Sequence, residues 1–136
     1  MNYMLDTNIC IYIIKKKPVS VLSKFREFDV GDICISSITF AELQYGIQKS
    51  EYQRRNRVAL AGFIVPIEIL PFSERAAEKY GKIRVELERQ GNTIGAYDLL
   101  IGAQALAASL TLVTNNLREF ERIPGLTCEN WVATSE

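Results

Sequence analysis

The chain has 136 residues, 48% apolar and 24% charged, the balance of one ordinary globular domain with enough length to bury a core. Sixteen basic residues match sixteen acidic ones, so a surface for a polyanion has to come from clustering and not from bulk charge. Histidine is absent, which excludes Ser-His-Asp and Cys-His nucleophiles, histidine-based ribonuclease chemistry and histidine-ligated zinc.

In chain order, Tyr3-Met4-Leu5 reads as a short buried strand that ends at Asp6. Thr7 or Asn8 can cap a helix running through Ile9, Ile13 and Ile14 to Lys15-Lys16-Lys17. Pro18 suits the first turn of a second helix carrying Val21, Leu22 and Phe25. Ile33-Cys34-Ile35 is predicted to be a second strand, and Ser36-Ser37 opens a helix with Ile38, Leu43 and Ile47. Residues 52–64 form an amphipathic helix, and residues 67–70 a third strand stopped by Pro71. Ser73 begins a helix to Gln90, with Ala76, Tyr80, Ile83 and Leu87 at spacings of three and four and Gly91 as its stop. Ala96 or Tyr97 starts a nearly all-apolar helix through Ala108, expected to be the central buried one. Thr111 to Thr114 is a fourth strand, a short polar turn follows, and Leu126 to Cys128 is a fifth.

Strands alternating with helices predict an α/β fold with a parallel sheet covered on both faces. One domain over residues 1–132 and a short C-terminal tail, 133–136, account for the whole chain. Cys10, Cys34 and Cys128 are odd in number and lack a Cys-x-x-Cys pair, so they read as small buried hydrophobes in a reducing compartment. The N-terminus lacks a basic segment followed by a long apolar one, and the apolar run 99–110 is broken by Gly102, Gln104 and Ser109. These features predict a cytoplasmic protein that does not enter the membrane.

The chain has four aspartates. Asp29 and Asp32 flank Gly31 in a loop. Asp6 ends the first strand, and Asp98 opens the most apolar helix. A buried carboxylate needs a partner or a cation, although a helix cap or first-turn acid would explain either one alone. Glu42 lies one turn into the helix after the second strand, where a solvated glutamate is an equally simple reading. Ligands of open parallel sheets gather outside the carboxyl ends of the strands. Asp6, Glu42 and the polar turn Thr114-Asn115-Asn116-Leu117-Arg118-Glu119 follow three different strands there. Two unit charges ~4 Å apart repel by about 4 kcal/mol at an effective dielectric of 20, so ionised carboxylates gathered at one edge call for a cation. All-oxygen ligation favours Mg²⁺ or Mn²⁺ over zinc.

Four segments taken together carry a resemblance. Met4-Leu5-Asp6-Thr7-Asn8, residues 36–46 around Glu42, residues 94–103 around Asp98 and residues 112–120 ending in Glu119-Phe120 resemble the four motif blocks of the PIN-domain ribonucleases. More narrowly, they resemble VapC toxins of bacterial VapBC toxin–antitoxin modules. The likeness runs from Asn2 to about Trp131. It implies a PIN-like three-layer α/β/α fold with a central, mostly parallel sheet of four to five strands. It also implies a metal-dependent endoribonuclease that hydrolyses RNA, often tRNA, to leave a 5′-phosphate and a 3′-hydroxyl.

The three nearly invariant acidic positions of the family match Asp6, Glu42 and Asp98. A later acidic position matches Glu119, with Asn116 as the alternative for the fourth role, because Asn115 and Asn116 stand where many PIN domains carry aspartate. Thr7, Thr114, Asn115 and Asn116 are expected to support the metal ligands, and Arg118 to contact RNA phosphate. The clusters Lys15-Lys16-Lys17 and Arg54-Arg55-Arg57 are further RNA candidates or plain solvated helix faces. A VapB-type antitoxin and a homodimer are implied as partners. The antitoxin would dock on apolar surface of the first two helices and set a basic side chain against the acids. A metal-dependent DNA nuclease or phosphodiesterase on the same scaffold is the alternative reading.

Overall fold

β1 (Tyr3–Leu5) turns directly into α1 (Thr7–Lys15), with Asp6 alone between them. The fold is described by a computed structural model for residues 1–29 and 31–133. Residues 134–136 of the expected tail lie outside the described residues. After α2 (Val19–Phe25) come β2 (Ile33–Ser36) and α3 (Ser37–Gln48), again with no loop between strand and helix. α4 (Gln53–Ile64), β3 (Glu68–Leu70) and α5 (Glu74–Arg89) follow, then α6 (Ala96–Ala107), β4 (Thr111–Val113), α7 (Leu117–Phe120) and β5 (Cys128–Glu129).

All four strand pairs are parallel, in the order β3-β2-β1-β4-β5. Side chains alternate across the pleat, and this sorts the core into two clusters. Leu5, Ile33, Ile35 and Val113 face one way, with Ile9, Ile13, Val21, Leu43 and Phe63. Met4, Cys34 and Leu112 face the other, with Ile83, Leu87, Leu99, Ile101 and Phe120. Strands buried on both sides explain the near-continuous apolar runs of the sequence. The result is the expected three-layer α/β/α arrangement with five strands.

Four sequence expectations change at their edges. The cap of α1 is Asp6 and not Thr7 or Asn8, because a chain that leaves a strand straight into a helix makes the junction residue the cap. The polar turn after β4 closes into the four-residue helix α7, too short to show a helical period. β5 begins at Cys128, where its pairing with Leu112 and Val113 starts, so Leu126 lies ahead of it. The second helix begins at Val19, and Pro18 precedes it in extended conformation as its cap.

Glycine matters at one packing contact. A Cβ on Gly102 would stand 2.5 Å from Ile123 Cδ1, against a wall that Phe120 completes. The bare backbone there lets α6 lie close to α7 and the turn behind it, which brings Glu119 near the start of α6.

Candidate active site

The register lines up Leu5, Ile35 and Val113 across three strands, so Asp6, Ser36 and Thr114 emerge together at the carboxyl edge. Strand order runs outward in both directions from β1, and a crevice opens at such a switch point. Asp6 is 4% exposed. Its Oδ1 accepts the Ile9 N–H at 2.9 Å, which caps α1, and its Oδ2 accepts the Thr114 hydroxyl at 2.6 Å. The cap reading of Asp6 therefore holds, and it leaves the carboxylate at the carboxyl edge of the sheet.

Glu42 stands on α3 and faces α1. The Thr7 hydroxyl donates to Glu42 Oε1 at 2.5 Å and lies 3.3 Å from the Thr39 hydroxyl. Glu119 reaches from α7 to the start of α6. Its Oε1 accepts the Gly95 N–H at 3.0 Å, and its Oε2 accepts the Asn116 side-chain amide at 2.9 Å. Gly95 is the N-cap of α6 and has no side chain to offer, so Glu119 satisfies an N–H at that terminus. A Cβ built on Gly95 would lie 3.9 Å from both Asp98 Oδ2 and Glu119 Oε1, so these two carboxylates flank one point of the backbone.

Asp98 is the third residue of α6 and half-buried. Alone among the four acids, its carboxylate accepts no hydrogen bond among the described residues. Burial pushes its pKa up to about 6, and Glu119, Asp6 and Glu42 add to the rise. Burial also raises the Asp6 carboxyl, held back by the bonds from Thr114 and Ile9 and raised further by Glu42. The Gly95 N–H and the Asn116 amide hold Glu119 below the usual carboxylate range. All four acids thus belong to one electrostatic cluster.

The donors here are oxygens. The thiols are no competitors: burial pushes Cys10 well above its ordinary value, Cys34 up to about 12 and Cys128 up to about 11, so all three stay protonated. Among the described residues no three acidic side chains stand close enough to share one ion in this arrangement, with Asp6 and Glu119 turned toward protein donors. The donor chemistry nonetheless fits a hard divalent cation. The free, half-buried Asp98 carboxylate, raised by its acidic neighbours, is the group such a charge would relieve.

Of the supporting residues expected from sequence, Thr7, Thr114 and Asn116 each bond directly to one of the acids. Asn115 does not: it is exposed and accepts from the Asn130 amide at 3.2 Å. Arg118 is exposed on α7 beside Glu119, and Lys15, Lys16, Lys17, Arg54, Arg55 and Arg57 are all exposed. Arg122, unremarked in the sequence, donates to the Thr93 carbonyl at 2.7 Å and so braces the loop before α6. Gln104 was also missed. Its signal was a lone amide inside an otherwise apolar helix.

Ile9, Ile13 and Val21, expected as possible docking surface, are buried core, and Ile14, Leu22 and Phe25 pack against that core. The apolar groove lies instead between α1, α3 and α4. It holds about 290 Å³ and is lined by Ile11, Ile14, Leu43, Gly46 and Leu60, with Glu42 at its edge. α2 is displaced from it because its apolar face is used against the core.

With this geometry in place, comparison with known proteins identifies the family. Residues 3–126 match the PIN domain. The chain is 48% identical over 132 residues to ribonuclease VapC2 of Haemophilus influenzae, covering 97% of this chain and 99% of that one. It is 47% identical over 131 residues to the tRNA(fMet)-specific endonuclease VapC of Shigella flexneri, covering 96% and 98%. A crystal structure of VapBC2 from Rickettsia felis, bound to a promoter DNA fragment, superposes with a TM-score of 0.91 at 47% identity over 97% of this chain and 100% of that one. The chain belongs to the PIN-domain family and, within it, to the VapC ribonucleases.

Proposed function

We propose that Asp6, Glu42, Asp98 and Glu119 are the catalytic carboxylates of this ribonuclease, that Mg²⁺ or Mn²⁺ is their ion, and that structured RNA, with tRNA first, is the substrate. PIN-domain nucleases in general depend on divalent metal ions. The observation that carries the assignment is Asp98: a half-buried carboxylate without a hydrogen-bond partner among the described residues, its pKa raised by burial and by three neighbouring acids. Asp6, Glu42 and Asp98 would hold the ion, with Glu119 as the fourth acid. Such an ion, when bound, would supply charge to offset that on the scissile phosphate and would lower the pKa of water so that hydroxide is available at neutral pH.

The remaining work falls to the chain itself. Thr114 and the Ile9 N–H hold both oxygens of Asp6, and Thr7 holds Glu42, so these donors define the arrangement from which the carboxylates would turn toward an ion. Glu119 ties the start of α6 to α7 and thereby sets where Asp98 points. Arg118, exposed one residue away, would take an RNA phosphate. The initiator tRNA named for the Shigella relative is the first RNA to try.

The partner in this reading is a VapB-type antitoxin, supported by the VapBC likeness. An amphipathic helix of it would lie in the groove between α1, α3 and α4, and a basic side chain would face the acids at the groove's edge. The toxin itself would be a homodimer. The test is cleavage of purified tRNA and of single-stranded DNA. Cleavage of RNA is expected to stop in EDTA, to return with Mg²⁺ or Mn²⁺, and to leave 5′-phosphate ends. A 2′,3′-cyclic phosphate product would refute the mechanism, and preferential cleavage of DNA would refute the substrate.

A further inference from the structure

Gln104 sits in the middle of α6, 3% exposed, on a helix whose other buried residues are apolar or glycine. A buried amide is costly unless it is fully bonded. This one is: its Oε1 accepts the Ser36 hydroxyl at 2.5 Å, and its Nε2 donates to the Leu70 carbonyl at 3.1 Å and the Pro71 carbonyl at 3.0 Å. Ser36 and Leu70 are register partners at the ends of β2 and β3. One side chain therefore clamps two strand ends to α6.

Ser36 does a second thing. It is fully buried, and its Oγ accepts the Ile38 N–H at 2.9 Å as the N-cap of α3. Because the Ser36 hydroxyl donates its hydrogen to Gln104 Oε1, the Ser36 oxygen presents lone pairs to the helix. The bridge thus runs from α6, which carries Asp98, through Ser36 into α3, which carries Glu42. These two acids stand on different helices, and no direct bond joins them among the described residues.

We propose that Gln104 is a positioning residue for the acidic site, acting through Ser36 to set α3 against α6 and hence the spacing of Glu42 and Asp98 for one divalent ion. This rests on the carboxylate assignment above. Its force is geometric: a metal site tolerates little displacement of its ligands; partners bonded directly to ligands are typically worth about tenfold or more in affinity, and Gln104 acts one step further out, through Ser36 and α3.

The experiment compares Gln104→Met, Ser36→Ala and the double variant with Val21→Ala, a core truncation in α2 away from the bridge. Mn²⁺ binding to each is measured by calorimetry, with melting temperature and amide exchange at Ile38 recorded alongside. Each bridge variant is expected to bind Mn²⁺ about tenfold more weakly and to exchange Ile38 faster. The double variant should lose no more affinity than either single one, because one bridge is being cut twice. Val21→Ala should lose stability and keep Mn²⁺ affinity. Bridge variants that are destabilised yet bind Mn²⁺ like the parent would overturn the positioning role. So would a Val21→Ala protein that loses affinity in step with its melting temperature. A parent chain that binds no Mn²⁺ would refute the carboxylate assignment and the positioning role with it, whereas the Ile38 exchange reports on the bridge independently of any metal.

Discussion

Among the described residues Asp98 stands in the cluster without a hydrogen-bond partner, while each of its three acidic neighbours has at least one donor. That difference has a thermodynamic consequence in the metal-free protein. The folded Asp98 carboxyl has a pKa of about 6 against an ordinary 3.8. The folded state therefore holds a proton more tightly than the unfolded chain between those values, and stability rises as the pH falls from about 6 toward 4. Above pH 6 the ionised carboxylate is a standing destabilisation, on the order of 1–2 kcal/mol once solvent screening at this half-buried position is allowed for. Glu119 works the other way, since its lowered pKa gives stability that is lost only as the pH falls through the lower carboxylate range. In EDTA, wild-type protein should melt at a higher temperature at pH 5.5 than at pH 7.5. Asp98→Asn should remove most of that gain and melt above wild type at pH 7.5. Thermal melts of both proteins at the two pH values decide it, and an unchanged pH response in the variant would show that Asp98 is not the strained group.

At the scale of elements, two junctions without loops make the site. β1 passes into α1 at Asp6 and β2 into α3 at Ser36, and each junction residue caps the helix that it opens. Asp6 thus combines a cap with a place in the acidic cluster, and substitutions can separate the two. Asparagine caps as well as aspartate, so Asp6→Asn should fold, keep or raise the metal-free melting temperature, and lose RNA cleavage by at least about a hundredfold. Asp6→Ala should lose cleavage equally and also about 1 kcal/mol of stability with the cap. Denaturant melts beside the cleavage assay check this, and an unfolded Asp6→Asn protein would mean that the charge itself holds the fold. These junctions were only partly legible in the sequence. Asp6, Thr7 and Asn8 are all good capping residues, and which one caps depends on where pairing between strands ends. The strands themselves were legible because Tyr3-Met4-Leu5 and Ile33-Cys34-Ile35 are buried on both faces and so remain apolar throughout. α7 was not, because four residues cannot show a period, and the fifth strand was legible in its existence but not in its bounds, since only two residues pair. That Asp6, Glu42 and Asp98 belong together followed from strand ends and family likeness. The Gln104 bridge did not, because a single amide in an apolar helix looks the same in sequence whether it is bonded or merely tolerated.

At the scale of the whole molecule, the sheet divides two tasks between its faces. The α5–α6 side packs the buried cluster beneath the helix that carries Asp98, and the α1–α3–α4 side leaves an apolar groove that Glu42 helps to line. A partner seated in that groove would reach Glu42, the one acid of the cluster among its lining residues. Gly46 makes this testable. It lines the groove on α3, and a Cβ built there meets nothing within 4 Å, so a side chain can leave the backbone at this point without a clash. Replacing a mid-helix glycine also favours the helix by about 0.5–1 kcal/mol. Gly46→Leu should therefore fold at least as stably as the parent and still cleave RNA, while its side chain occupies volume that an antitoxin helix needs. Binding of the co-expressed antitoxin should weaken by at least about tenfold, the equivalent of 1.4 kcal/mol, and inhibition of cleavage should weaken in parallel. Gly46→Ala, which adds only a methyl group, should keep most of the affinity. Titration of each variant with antitoxin, read both as binding and as residual RNA cleavage, gives the answer. Full inhibition of Gly46→Leu at parental affinity would place the antitoxin elsewhere on the surface, and loss of RNA cleavage in that variant without any antitoxin would mean that the groove belongs to the path of the RNA.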